Sequence, residues 1–566
     1  MKSSKLKLFW IILTLNICFC RQKTIKDSWE VLISKDKEYI HASHHINNIL
    51  RNNALPISDE EENLLKDLNI KVINNELKVL IPSVMESIYE TEHFNIHYDL
   101  SASSNNAIDE EDLNNNGIPD YAENMGMIFE YVHSYFKDSL NYDLIFHNNQ
   151  NSNIEKYNIF INNLPSNYFA LTYTTSFINE SNTSCGSYIK MRNNYNGSSF
   201  QNLSEVDNIK VTAAHEFFHA IQFSYNCYER FWLMEATAVW SEDKIYDNIN
   251  DHYRYMPSWF QNSSKTIDDE SAHMYGSFIF FQYLEEHLGG PDLIKSIWEN
   301  SRYAANSVND ISFVSINSAL KEVGSSFNSA INNMRIANRI MSSHPNAYPF
   351  TYEEANTYPV SGPLEIAQLS FANNTVNYTQ NAIYKNAANY LKIDLIAPAK
   401  IKIDVDNGLE EDIFSTVILK YQNGENWTIK TGNDLNIDPG TKIEWASLLI
   451  NTQSQDQNSW SYSVSISPGK TEDFNVYNAY PNPLISQNNK FEMKLISAAT
   501  QNIKINIYNI LGQTILNKNL LLLESEEKTF AWNLKNRHSK KVSSGIYFIE
   551  IKGENKRQVK KVTLLN

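Results

Sequence analysis

The sequence predicts a multidomain α+β chain, and three observations point to it. At 566 residues it is longer than one hydrophobic core organises. Helical and strand-like spacings mix up to about residue 345, and period-two alternation dominates after it. The cluster "YNAYPNP" (Tyr477 to Pro483) then divides the alternating half into two β-sandwich candidates. A hydrophobic content of 42% with 20% charged residues describes a folded chain. The net charge of −17 repels phosphate, so nucleic acid and anionic membranes are not expected partners.

Residues 1–20 read as an export signal. Lys2, Lys5 and Lys7 precede the apolar run "LFWIILTLNICF", which is too short to cross a bilayer, and Cys18 and Cys20 stand before Arg21. A lipoprotein anchor at Cys20 is the lesser reading, because Phe19 is bulky for that signal. No other stretch has the length and apolarity of a span, so the mature chain is expected to have none. Residues 21–88 read as a helical segment, either a pro-segment or a brace. "KEYIHASHHINNILRNN" has helical spacing, and "SDEEENLLKDL" opens with a Ser cap. His41 and His45 are four apart but lack an acid between them, so polar helix surface is the expectation there.

Residues 89–345 carry the chemistry. "EHFNIHYDL", "KYNIFINNL" and "GSYIKMRN" read as strands, and helices follow from Asn208 to about His344. Within "AAHEFFHAIQ", His215 and His219 differ by about 40° in azimuth on a helix, so both imidazoles can meet one zinc ion. Glu216 is rotated by about 100° and is placed to act on a zinc-bound water as general base. A third ligand is needed. In "RFWLMEATAVWSEDKIY", Glu235 follows His219 by sixteen residues, in an apolar setting where a buried carboxylate needs a partner. Glu242 and Asp243 compete for that role, and Glu242 could instead hold a histidine from behind.

These helices, with "HFNIHYD", "NGIPDY" and "HMYGSFIFFQYLEEHLGG", resemble the gluzincin class of zinc metallopeptidases. More closely, they resemble a family of secreted bacterial metallopeptidases known mostly from sequence. The resemblance covers roughly Glu90 to Ile340. It implies a zincin-like domain in which His215, His219 and Glu235 bind Zn²⁺ and Glu216 is the base. It also implies an oxyanion-stabilising Tyr or His, for which Tyr275 and His273 are candidates and His252 a weaker one. By analogy with the class, "GSYIKMRN" is the strand edge that would pair with substrate.

Two further features lie in this region. "DLNNNGIPDYAE" places Asp112, Asn114, Asn116, Asp120 and Glu123 as oxygen donors at EF-hand positions, with the backbone of Ile118 at the seventh and Gly117 at the turn. It reads as a single structural calcium loop, since Pro119 removes the donor that pairs two such loops. Cys185 and Cys227 remain after the signal. In an oxidising compartment they form a disulfide, the other reading being two buried thiols.

Residues 346–470 alternate in "YLKIDLI", "KIKIDV" and "SYSVSISP" and read as an accessory β-sandwich. Residues 471–566 resemble the type IX secretion sorting domain through "YPNP", "IYNILGQ", "SSGIYFIEI" and "KKVTLLN". That resemblance implies the type IX machinery as a partner and a secreted or cell-surface location. The expected function is a secreted zinc metallopeptidase acting on protein or peptide. Its rivals are an extracellular adhesin with a structural zinc and a zinc amidase acting on a non-protein amide.

Overall fold

The structure is a computed structural model. It describes residues 25–565 apart from breaks at 34–42, 81–84, 147–154, 303–311, 396–399, 407–412, 438–441, 453–458, 469–473, 486–489 and isolated shorter gaps. The export signal, with Cys18 and Cys20, and His41 therefore lie outside the described residues.

The N-terminal segment is not purely helical. Helices α1 (Ser43–Arg51) and α2 (Asp59–Asp67) are followed by a hairpin of β1 (Ile70–Ile73) and β2 (Glu76–Val79). Ser58 caps α2 in a capping box with Glu61. The hairpin was missed because its strands are short. Its turn residues Asn74 and Asn75 both adopt positive φ (53° and 62°), the signature of a tight two-residue turn. His45 also differs from expectation. It is buried, with Nδ1 3.3 Å from Ser28 Oγ, rather than lying on a polar surface.

The central sheet has the order β3 (Ser87–Glu90), β4 (Phe94–Tyr98), β5 (Tyr157–Asn162), β7 (Asn182–Arg192), β6 (Ala170–Asn179). β4, β5 and β7 are parallel, while β3 and β6 run antiparallel at the two edges. "GSYIKMRN" is thus an interior strand, not the edge. β6 folds back on β7 as a hairpin and takes the edge position. Strand alternation gives the sheet two apolar faces. Phe94, Ile96, Ile159, Ile161 and Ile189 pack on α3 (Asp120–Ser134) and α4 (Glu205–Asn226). Phe160, Leu171, Tyr173 and Tyr188 face the other way, into a core shared with Ile46, Ile49, Leu65 and Leu77 of the N-terminal segment.

Helix α4 is capped by Ser204 and packs antiparallel to α5 (Phe231–Ile245). Then come α6 (Met256–Gln261), α7 (His273–Gly276), α8 (Phe278–Leu284), α9 (Gly290–Arg302), α10 (Ser312–Glu322) and α11 (Phe327–Ile340). The disulfide Cys185–Cys227 joins β7 to the C-cap of α4, with Cα atoms 5.8 Å apart.

α11 also docks the next unit. Ile336 and Ile340 share a core with Ala388, Tyr390, Ile418 and Leu449, and buried Arg335 donates to the Asn386 carbonyl at 2.6 Å. That unit is a sandwich of a 5-stranded and a 4-stranded sheet built from strands between Glu365 and Pro468. A second β-unit of a 3-stranded and a 5-stranded sheet spans Phe474–Leu565. Its stretch "IKINIYNILGQTIL" is two strands, broken at Gly512 (φ 75°).

The contact of α7 with α6 depends on a missing side chain. A Cβ on Gly276 would lie 2.4 Å from Cβ of Trp259 and 2.6 Å from its Cγ. Gly276→Ala is expected to destabilise this region by about 1–3 kcal/mol, as overpacking does. Scanning calorimetry should show a lowered transition for the helical unit and unchanged sandwich transitions.

Candidate metal centre

Helix α4 places His215, Glu216 and His219 in its buried middle, and α5 brings Glu235 to them. Small residues permit this approach: Ala214, Ala236 and Ala238 are all buried among the helices. His215 Nε2 is 3.2 Å from Glu235 Oε2, and His219 Nε2 is 3.4 Å from Glu235 Oε1. The three side chains form one group with ligand atoms close enough to share an ion.

The second nitrogen of each ring fixes its direction. His215 Nδ1 lies 2.6 Å from Glu242 Oε1, and His219 Nδ1 lies 2.8 Å from Gln222 Oε1. Both partners are acceptors, so each Nδ1 carries the proton and donates. Each Nε2 then turns a lone pair toward a carboxylate, and buried His219 Nε2 has no hydrogen-bond partner. A ring nitrogen facing a carboxylate needs a proton or a metal cation between them, so the donor set fits a metal ion that displaces the protons. Without an ion a proton takes that place: burial works against charge on His219, yet the Glu235 carboxylate outweighs it and holds the imidazole up at about 9. Burial pushes Glu242 up to about 7, against the opposing pull of His215.

Glu216 is fully buried beside this group but outside the ligand set. Its Oε2 accepts from Thr172 Oγ1 of β6 at 2.5 Å and from Ser43 Oγ of α1 at 3.1 Å. Gln222, Thr172 and Ser43 hydrogen-bond to the candidate site residues, contacts that the sequence reading passed over. Gln222 sits three residues beyond His219 on the same helix, which was a usable signal; the other two are remote in sequence.

The remaining candidates fall as follows. Tyr275 is buried on α7, its ring stacked on Tyr255 at 5.1 Å. His273 stacks on Trp259 at 5.5 Å, and burial lowers it to about 4. His252 faces Asp243, with Nδ1 3.5 Å from Oδ1, and these two gather with Glu354. His93, Glu130 and His133 make a third group, with the two imidazoles stacked at 3.8 Å.

In the loop before α3, Asp112 accepts from the N–H groups of Asn116 (3.2 Å) and Gly117 (2.8 Å). The amides of Asn114 and Asn116 donate to Glu123 at 2.8 and 2.6 Å. Asp120 accepts from Leu113 N–H at 3.3 Å, and Ile118 N–H donates to Asn116 Oδ1. Gly117 has φ 87°, as the sharp turn requires. These hydrogen bonds close the loop on itself, and Asp112, Asp120 and Glu123 are not among the described groups whose ligand atoms gather close enough to share an ion.

Two family profiles match the chain. Residues 65–340 match a family of unknown function (DUF6055), and residues 478–564 match the secretion system C-terminal sorting domain. The chain carries a type IX sorting domain and is exported by that route to the cell surface or beyond. Among the described residues no helix is long and apolar enough to cross a membrane. No curated protein matches.

Solved structures with partial likeness include PorZ, a bacterial surface component of the type IX secretion system of Porphyromonas gingivalis. It is 14% identical, over 18% of this chain and 14% of that one, at a TM-score of 0.13. Dimeric latent PorU of the same organism is 11% identical, over 36% and 19%, at 0.16. A GH2 β-galacturonidase from Eisenbergiella tayi is 10% identical, over 34% and 36%, at 0.14. The chain spans well under half the length of each of these proteins, and similarities this low carry no argument about activity.

The arrangement of Glu242 behind His215 generates a prediction. Calorimetric titration of the metal-stripped chain with a divalent ion should show one buried site abolished by His219→Ala. Glu242→Gln should weaken that site by about 10–100-fold, the usual effect of removing a group that orients a ligand.

Proposed function

We propose that the chain is a secreted zinc metallopeptidase of the gluzincin type, with His215, His219 and Glu235 as ligands and Glu216 as general base. One observation carries this reading: a fully buried glutamate stands beside a complete ligand set without joining it. A structural ion needs no such neighbour. Two imidazoles and one carboxylate suit zinc, which in catalytic sites keeps a fourth position for water. Zinc bound there would supply Lewis acidity, acidifying a water and polarising a carbonyl.

The chain's own residues do the rest. Glu235 and the two histidines orient the centre, with Glu242 and Gln222 locking the rings. Thr172 donates to Glu216 Oε2, which fixes the carboxylate that would accept a proton and later return it to the leaving amine. The apolar walls of α4 and α5 exclude bulk water, which strengthens each of these interactions. Tyr275 and His273, on α7 packed against α5, remain the proposed oxyanion donors. The same constellation would hydrolyse a non-protein amide, so substrate separates peptidase from amidase. An adhesin with a structural ion would have no use for Glu216.

The mature chain, before and after limited proteolysis, should cleave casein or a broad peptide library in a chelator-sensitive way. Glu216→Gln should lower kcat by about 10²–10⁴-fold, the range of general-base catalysis, with zinc content unchanged. A zinc-loaded chain that cleaves no member in either state would overturn the reading.

The Asp112–Glu123 loop is proposed as a structural calcium site. Its amide donors now point at Glu123, and a bound ion would take oxygen from both amides instead. Calcium should raise the melting temperature of the helical unit by several degrees. Asp112→Ala together with Glu123→Ala should remove that response and leave the zinc content intact.

A further inference from the structure

The edge of β6 is where a polypeptide strand could add to the sheet, and in this structure it is occupied. Strand geometry points the N–H and C=O of Thr172, and the N–H of Thr174, away from β7 toward the open side. An unpaired row of this kind is a ready template for another strand. Helix α1 covers it with residues one turn apart on a single face. Thr172 N–H donates to Ser43 Oγ at 2.8 Å. Asn47 Nδ2 donates to the Thr172 carbonyl at 3.3 Å, and its Oδ1 accepts from Thr174 N–H at 3.1 Å. The Asn47 side chain thus offers one donor and one acceptor, the same pair that a peptide group of an added strand would offer.

The same helix reaches the candidate general base. Ser43 Oγ accepts from Thr172 N–H and donates to Glu216 Oε2, so one hydroxyl links the strand edge to the carboxylate. Ser43 and Asn47 are both buried. One turn further on, Arg51 lines a pocket with Asn47, Thr174, Phe223, Phe231 and Met234, beside the C-terminal half of α4. A brace for the apolar face of the sheet would need only Ile46 and Ile49, which pack into that core. It would not need polar contacts to the edge or to Glu216.

We propose that α1 is a resident stand-in for the substrate backbone: it holds the β6 edge through Ser43 and Asn47 and ties Glu216 down, so the exported chain is latent until this helix leaves the edge. This rests on the metallopeptidase reading and adds two things to it. The substrate is an extended polypeptide taken up along Thr172 and Thr174, and the residues that keep it out are named. No covalent step is needed for the block, only displacement of α1.

The test uses the full mature chain carrying Ser43→Ala and Asn47→Ala, with Asn47→Asp as a near-isosteric second variant. Asn47→Asp keeps the acceptor for Thr174 and loses the donor to Thr172. Circular dichroism and metal content check that the variants fold. Hydrogen exchange should show the Thr172 and Thr174 amides protected in the unmodified chain and at least tenfold faster in the double variant. Chelator-sensitive hydrolysis of casein should rise at least tenfold in the double variant and less in Asn47→Asp. In a Glu216→Gln background, fluorescent unfolded casein should bind at least tenfold more tightly once Ser43 and Asn47 are replaced.

Equal hydrolysis with and without the two side chains overturns the latency while leaving the peptidase intact. Tighter casein binding with no hydrolysis in any form sinks the peptidase reading and keeps the edge occupancy. Unchanged casein binding with faster amide exchange shows a brace and ends the proposal.

Discussion

Two imidazole Nε2 atoms aimed at one buried carboxylate set the terms for the helical half of this molecule. His215 and His219 are held with Nε2 inward because Glu242 and Gln222 take their Nδ1 protons. Glu235 meets them from the facing helix at 3.2 and 3.4 Å. In a low-dielectric interior such a cluster is costly without a proton or a metal cation between ring and carboxylate. α4 and α5 must therefore be pressed close, and the alanines along both helices, with the disulfide at the end of α4, serve that closeness.

The sheet is the second constraint, because it decides what reaches the centre. α4 lies under one face, and β6 passes with Thr172 directed at Glu216. The opposite face is apolar and would be exposed if the chain began at β3. The N-terminal segment covers it with Ile46, Ile49, Leu65 and Leu77. Covering that face and blocking the edge are separable tasks performed by one short segment. The apolar side of α1 does the first, and its polar side does the second.

Legibility in the sequence followed the distance between partners. His215, Glu216 and His219 lie within one helix, where spacing alone sets geometry. Glu235 and Glu242 lie one turn-back away, and the loop between the helices is short enough to make their approach foreseeable. The turn at Gly117 in the Asp112–Glu123 loop was readable for the same local reason. The position of β6 was not. "ALTYTTSFIN" carries buried residues on both faces near its start, so period-two alternation is weak there, and the edge was assigned instead to its neighbour. Ser43 and Thr172 are separated by 129 residues, and their meeting is a product of tertiary packing that no local pattern records. The two β-sandwiches were visible from alternation, but breaks such as Gly512 and the turn at Asn74 and Asn75 hide in runs whose apolar pattern continues across them.

Export and latency fit together physically. The sorting domain commits the chain to leaving the cell. On the proposed reading, an exported peptidase without such a block would meet its own copies before it met a substrate. The proposed inhibitory contact at Ser43 and Asn47 is made of neutral hydrogen bonds and would hold at any ionic strength, because no charge pair in it can be screened by salt. The contact to Glu216 is the one charge-assisted member, and it is fully buried, where screening is weakest. Release would therefore come from mechanical removal or proteolysis of the segment rather than from dilution into a saltier medium. The small number of edge hydrogen bonds keeps that release within reach, since each contributes only about 0.5–1.5 kcal/mol net.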